Sequence, residues 1–245
     1  MIAEAISKIL ALAEPNVVEV DGRHYSDRKM IEVNTPPPDR ILVGTLTGMI
    51  DLINAKVEAI EAEGTELTHS DVVVHVVSFE EVNLIAKVAD EFGHRTTFVT
   101  SKLVERPGFA FGQWMDHERF LIGVMANFTE QGDREYLLRI ASNLTNERVV
   151  TSADDGVSQQ VGLKTGPVLK APEIVRNRVK LAPFRTFREV EQPVSEFVFR
   201  VSQGDHDETP KLALYEADGG AWKNTAMETV ARYLRTALQD ITVVS

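Results

Sequence analysis

The sequence predicts an α+β fold: an N-terminal α/β portion followed by a mainly antiparallel β portion with a C-terminal helix. Four observations carry this expectation. Leu46 to Ala62 places Met49, Ile50, Ile53, Val57 and Ile60 on one helical stripe. Val72 to Val77 is a β-branched run broken only by His75, as in a buried strand. From Val149 to Tyr215, strand-like runs alternate with turn residues. A last amphipathic stripe of Met227, Val230, Leu234 and Leu238 then follows.

Taken in order, Met1 to Ala13 reads as a short amphipathic helix with Ile2, Ile6, Ile9 and Leu10 at helical spacing. Val17 to Val20 and Met30 to Val33 read as strands joined across the polar Asp21 to Lys29 segment. Thr35-Pro36-Pro37-Pro38 stops regular structure and marks a stiff extended linker. After the Leu46 helix and the Val72 strand, Ser78 reads as an N-cap. Glu80 and Glu81 would sit near the positive end of its helix, and Gly93 would close it. Thr96 to Thr100 supplies the next strand, so this stretch permits a parallel β-α-β unit.

Beyond Arg106-Pro107-Gly108, Asp116 caps a helix through Phe128 and Asp133 caps a second through Leu144. Asp218-Gly219-Gly220 breaks the chain before a helix from Ala226 to Leu238, and Ile241 to Val244 adds a final strand. A boundary near Thr145 to Arg148 would separate an α/β portion, 1–145, from a β-rich portion, 146–245. One continuous domain is the alternative.

At 245 residues, with 43% hydrophobic and 26% charged residues, the chain has the make-up of an ordinary globular protein with a sizeable core. It contains no cysteine, which excludes a disulfide framework, thiolate zinc sites and a cysteine nucleophile, and fits a reducing cytoplasm. The first thirteen residues carry Glu4 and Lys8 and lack the basic start and unbroken apolar run of a signal peptide. No run approaches the roughly eighteen apolar residues of a membrane span, so no membrane partner is expected.

Charge is distributed unevenly. The chain carries a net charge of -11, yet Lys164, Lys170, Arg176, Arg178, Lys180, Arg185 and Arg188 face only Glu173 along their own stretch of sequence. Such a segment is neutralised by acids of the same chain, by acids of a neighbouring copy, or by nucleic-acid phosphate. These seven residues are the candidate contacts for an oligomer or for nucleic acid. Phe184 and Phe187 interleave with Arg185 and Arg188. Rings stacking on bases beside phosphate-binding arginines is one reading. Rings turned into the core with arginines on the exposed face of a strand is the favoured one.

Other polar groups point to ordinary structural roles. Asp116-His117-Glu118 cannot converge on one ion from a helix, where successive residues point about 100° apart. Asp154-Asp155-Gly156 lacks the further ligands of a calcium loop and reads as a turn between strands. Asp205-His206-Asp207-Glu208 reads as a hairpin tip, and His75 as a core or cross-strand histidine. Gly162-Leu163-Lys164-Thr165-Gly166 fails the spacing of a phosphate loop, and Pro167 prevents a helix from starting there. No nucleophile elbow is present. Neither a catalytic site nor a cofactor or metal is expected.

Several ordered stretches carry a resemblance. They are Phe111-Gly112-Gln113-Trp114 with Asp116 to Ile122, Asp154 to Gln159, Leu181 to Val190 with Glu191-Gln192-Pro193, and Tyr215 to Gly220. In this order the chain resembles the YfdQ-like family of phage and prophage proteins, whose biochemical function is unassigned. The resemblance runs roughly from Gly44 to the C-terminus, is densest after Gly108, and leaves out the first forty residues. It implies a phage or prophage origin and action in the cytoplasm of the bacterial host, and it brings no catalytic residues. The expected function is a self-associating, non-enzymatic protein forming a defined homo-oligomer or larger assembly, with acidic helices pairing to the basic strands. A nucleic-acid-binding accessory of phage replication or recombination is the alternative.

Overall fold

A computed structural model describes residues 2–13, 17–20, 23–26, 39–55, 69–89, 93–104, 108–143, 148–154, 158–165, 168–169, 173–202 and 210–245. The chain divides into two units, Met1–Pro37 and Pro38–Ser245. In the first, helix α1 (Ile2–Ala13) precedes strands β1 (Val17–Val20) and β2 (Arg23–Ser26). β1 and β2 pair antiparallel, with Val20 opposite Arg23. The sequence reading passed over this partner, although Asp21-Gly22 between two strand-like runs is a hairpin signal. Its own choice, Met30 to Val33, and the proline linker lie outside the described residues.

The second unit begins with β3 (Ile41–Val43), α2 (Leu46–Asn54), β4 (Val72–Val76), β5 (Glu81–Ala86) and β6 (Thr97–Lys102). It continues with α3 (His117–Asn127), β7 (Phe128–Gly132) and α4 (Arg134–Asn143). Next come β8 (Arg148–Asp154), β9 (Ser158–Thr165), β10 (Val168–Leu169), β11 (Glu173–Arg176) and β12 (Arg178–Pro183). The chain ends with β13 (Ser195–Val201), β14 (Leu212–Glu216), α5 (Trp222–Ala237) and β15 (Thr242–Val244). This mixture is α+β, as predicted.

A five-stranded sheet runs in the order β15-β4-β5-β6-β3. The helix expected after Ser78 is instead the hairpin β4–β5, with Val76 opposite Val82. Val77 and Ser78 both donate their amides to the Glu81 carbonyl, at 3.0 and 3.1 Å. The Ser78 hydroxyl accepts from the Glu80 amide at 3.1 Å, closing a turn and capping no helix. Beyond the turn, Val82 and Leu84 are buried while Glu81, Asn83 and Ile85 are not, the period-two signature of a strand. The expected crossover is therefore an antiparallel meander, β4–β5–β6. Parallel pairing comes from elsewhere: β3 lies beside β6, and β15 beside β4.

A second sheet has the order β14-β13-β12-β7, and a third gathers β8, β10 and β11 around β9. The chain passes from the third sheet to the second at the buried Asn177, whose carbonyl accepts from Phe199 N at 2.7 Å. Division near Thr145 to Arg148 does not hold. β7 precedes that point and pairs with β12 beyond it, while the C-terminal β15 pairs with β4.

Two apolar cores follow from this topology. Leu46, Met49 and Ile53 of α2, with Val230, Ala231 and Leu234 of α5, pack on Val72, Val74, Val76, Val82 and Leu84. Phe120 and Val124 of α3, with Leu137 and Ile140 of α4, pack on Val179, Leu181, Phe197, Phe199, Leu212 and Leu214. Each such large side chain stabilises the fold by about 1.5–3 kcal/mol relative to leaving it in water. Local signals agree at the helix starts. Asp116 caps α3 by accepting from Arg119 N at 2.8 Å, and Thr45 caps α2 by accepting from Gly48 N at 3.0 Å. α5 starts four residues earlier than its apolar stripe suggested. Asp218 accepts from Gly220 N and Trp222 N at 3.0 and 3.3 Å, while Gly219 and Gly220 take positive φ values of 62° and 83°.

Candidate functional site

The seven basic candidates part company in space. Lys164 lies on β9, opposite Arg148 of β8 and Leu169 of β10, and Lys170 lies outside the described residues. Arg176, at the end of β11, places Nη2 3.0 Å from Asp133 Oδ1. Its guanidinium sits over the Tyr136 ring at 4.0 Å, and its backbone N–H donates to Tyr136 Oη at 2.8 Å. Asp133 precedes α4, as the sequence suggested, but its carboxylate reaches across to β12. There Oδ2 accepts from Lys180 N at 2.9 Å.

Arg178 and Lys180 share the exposed face of β12. Arg178 Nη1 lies 3.0 Å from Glu196 Oε1, and Glu196 stands directly opposite Lys180 in the strand register. The Arg176–Asp133 and Arg178–Glu196 pairs are solvent-accessible, so each contributes about 0–1 kcal/mol. Their consequence concerns charge: the acid facing this stretch comes from the same chain.

Arg185 departs furthest from its expected place. Its side chain is only 9% exposed, with Nη1 2.7 Å from Glu216 Oε1 and Nη2 donating to Ser195 Oγ at 2.8 Å. Three rings surround the guanidinium, with centroids at 4.4 Å for Trp222, 5.0 Å for Phe197 and 5.5 Å for Phe111. Burial pushes the group below its ordinary pKa, against the pull of Glu216 and Asp218, yet a guanidinium stays charged at neutral pH. The sequence put Arg185 on the exposed face of a strand. Residues 184–194 form no strand, so strict alternation does not apply there, and both Arg185 and Phe187 turn inward.

That irregular segment is held by Gln192, which is 4% exposed. Oε1 accepts from Arg185 N at 2.9 Å and Thr186 N at 3.2 Å. Nε2 donates to Phe187 O at 2.9 Å and Val190 O at 3.1 Å. All four hydrogen-bonding positions of the amide are thus filled. From this frame Thr186 Oγ1 donates to Phe79 O at 2.6 Å, and Phe187 and Val190 enter the core of the five-stranded sheet. Glu189 Oε1 accepts from Leu46 N and Thr47 N at 2.8 and 3.3 Å, a carboxylate on the positive end of α2. No local pattern announced that contact, since 143 residues separate Leu46 from Glu189.

Between this segment and the start of α2 lies a half-open groove of about 530 Å³, which sequence reasoning missed. Gly44, Thr45, Thr47, Leu103, Val104, Phe184, Thr186, Arg188 and Glu189 line it. Arg188 is exposed and rests over the Phe184 ring at 4.8 Å. Among the described residues it meets no carboxylate.

Elsewhere, Asp116 is the cap of α3 and Glu118 a first-turn acid, and His75 lies mid-strand, opposite Asn83 and Val244. Among the described residues no three His, Asp or Glu side chains stand close enough to hold a metal ion. Asp155 and Gly156, and Asp205 to Glu208, lie outside them. No helix among the described residues is long and apolar enough to cross a membrane. No family model, curated protein or solved structure matches the chain.

Proposed function

We propose that the chain is a non-enzymatic, self-associating protein of the YfdQ-like phage type, building a defined homo-oligomer or larger assembly in the bacterial cytoplasm. The state of the two edges of the five-stranded sheet supports this reading. β4 and β6 point the same way because each is antiparallel to β5. The edge strands β15 and β3 run parallel to them, so both edges share one direction. Each edge also leaves a large apolar residue in solvent: Leu42 is 65% exposed and Val244 40%. One edge of a copy can therefore extend the opposite edge of the next. That head-to-tail contact closes into a ring or continues as a filament. Three-residue edges give few hydrogen bonds, so exposed apolar side chains beside them carry much of the contact.

Acid–base pairing between copies becomes a minor contribution in this proposal. Arg176, Arg178 and Arg185 already meet carboxylates of their own chain, and the same pairing weakens a nucleic-acid footprint in a chain of charge -11. Light scattering across concentration and salt tests the proposal. The expected result is a mass well above one chain, scarcely altered by salt, and a monomer in the folded Leu42→Lys variant, which puts a charge on the edge. A sharp single-chain mass for the native protein at micromolar concentration would sink it. Tight, salt-sensitive DNA binding by an intact assembly would favour the nucleic-acid accessory.

A further inference from the structure

The groove beside Arg188 lies at the end of the edge strand β3 and has the position of a ligand site. β3 and β6 are parallel neighbours, Val43 opposite Ser101, and the groove lies just past their carboxyl ends at Gly44-Thr45 and Leu103-Val104. From there the two connections part. β3 feeds α2, while the chain after β6 goes on to Met115, bridged to Leu212 in the other sheet. Divergence of connections beyond parallel strands leaves a crevice where small molecules bind in open sheets. The volume of about 530 Å³ falls within the range of small-ligand pockets, roughly 300–1,000 Å³.

The lining specifies what kind of ligand. Leu103, Val104 and Phe184 make an apolar wall, and Val104 is 70% exposed. The wall depends on Gly44, where an added Cβ would come 2.9 Å from Val104 Cγ2. At the polar end the Arg188 guanidinium sits 4.8 Å from the Phe184 ring centroid, and its fork of donors matches a planar carboxylate. Glu189 already occupies the first amides of α2, so among the described lining residues Arg188 is the cation that meets no carboxylate, and the neighbouring negative charge disfavours a dianion. We infer that this groove binds a small organic monoanion: a carboxylate on a flat apolar body, its charge on Arg188 and its body against Leu103, Val104 and Phe184.

The test uses the full chain with benzoate as probe, benzamide as its uncharged counterpart, and titration calorimetry. Benzoate is expected to bind saturably, with affinity falling at least about tenfold in Arg188→Gln, since a charge-assisted pair is lost. Val104→Trp, at an exposed position, is expected to fill the groove and abolish binding while the melting temperature stays near that of wild type. Benzamide is expected to bind wild type no better than benzoate binds R188Q. The inference is overturned by absent benzoate binding, by equal binding of benzoate and benzamide, or by binding that survives both substitutions.

Discussion

Gln192→Leu keeps the side chain's volume and removes every hydrogen bond it makes, so its effect measures what the amide contributes. The Arg185 and Thr186 amides lose their shared acceptor, and the Phe187 and Val190 carbonyls lose a donor, all at a site only 4% exposed to solvent. Phe187 O retains a longer contact from Val190 N at 3.4 Å, and an under-satisfied carbonyl is penalised less than an orphaned N–H, so most of the penalty falls on the two amides. An unsatisfied buried donor costs about 1–3 kcal/mol, so the two amides together cost roughly 2–6 kcal/mol. That is a large share of the 5–15 kcal/mol typical of a whole domain. Urea denaturation should show a lower midpoint with an unchanged slope. A loss below about 1 kcal/mol would refute the reasoning, because it would mean that these backbone groups find other partners readily.

Gln192→Glu tests the same geometry through pH. The introduced carboxyl would keep accepting from the two amides but turn its second oxygen toward two carbonyls, so the charged form is disfavoured and the folded-state pKa lies above the ordinary value of about 4.3. A folded-state pKa raised in this way gives stability that is fully present below the unfolded value and lost as pH rises through the folded one. The variant should therefore recover part of its deficit as pH falls toward 4. A deficit unchanged with pH would place the second oxygen away from the carbonyls.

Three more outcomes follow. Gly132→Ala should lose about 2–4 kcal/mol, read by the same denaturation. Gly132 has φ +71°, and its added Cβ would meet the Lys180 carbonyl oxygen at 2.2 Å. Asp116→Ala should cost about 1 kcal/mol through the lost cap of α3. It should leave metal content, read by elemental analysis, as in wild type. Arg185→Ala should cost about 2–3 kcal/mol through lost ring contacts and packing, discounted because Glu216 is solvated. Its midpoint shift should persist in high salt, whereas a purely electrostatic role would fade there.

Features carried by neighbouring residues could be read from the sequence. The Asp116 cap, the stripe of α5 and the β-branched run of β4 each lie within one or two turns of chain, where periodicity and capping act. β5 was misread because Ser78, Glu80 and Glu81 fit a helix start and Val82 to Ala86 is too short to distinguish a period of two from 3.6. β3 and β15 supply the parallel pairing, yet three residues give almost no periodic signal. Their assignment depends on strands far away in the chain.

The charge argument left acids of the same chain as one of three sources, and only their distance along the sequence hid them. Counting acids near the basic segment found only Glu173, whereas the acids that answer it come from positions 43, 18 and 31 residues distant: Asp133, Glu196 and Glu216. Two of those carboxylates belong to strands of the sheet that β12 joins, so pairing β12 with β13, and β13 with β14, delivers the neutralising charge together with the fold. Arg188 lies on the other side of the same irregular segment, facing a groove built from the ends of a different sheet, and among the described residues it receives no such acid. An arginine left over after its neighbours are paired identifies the place where a charged ligand from outside the chain adds most. A glutamate at the next position fixes the charge such a ligand can carry.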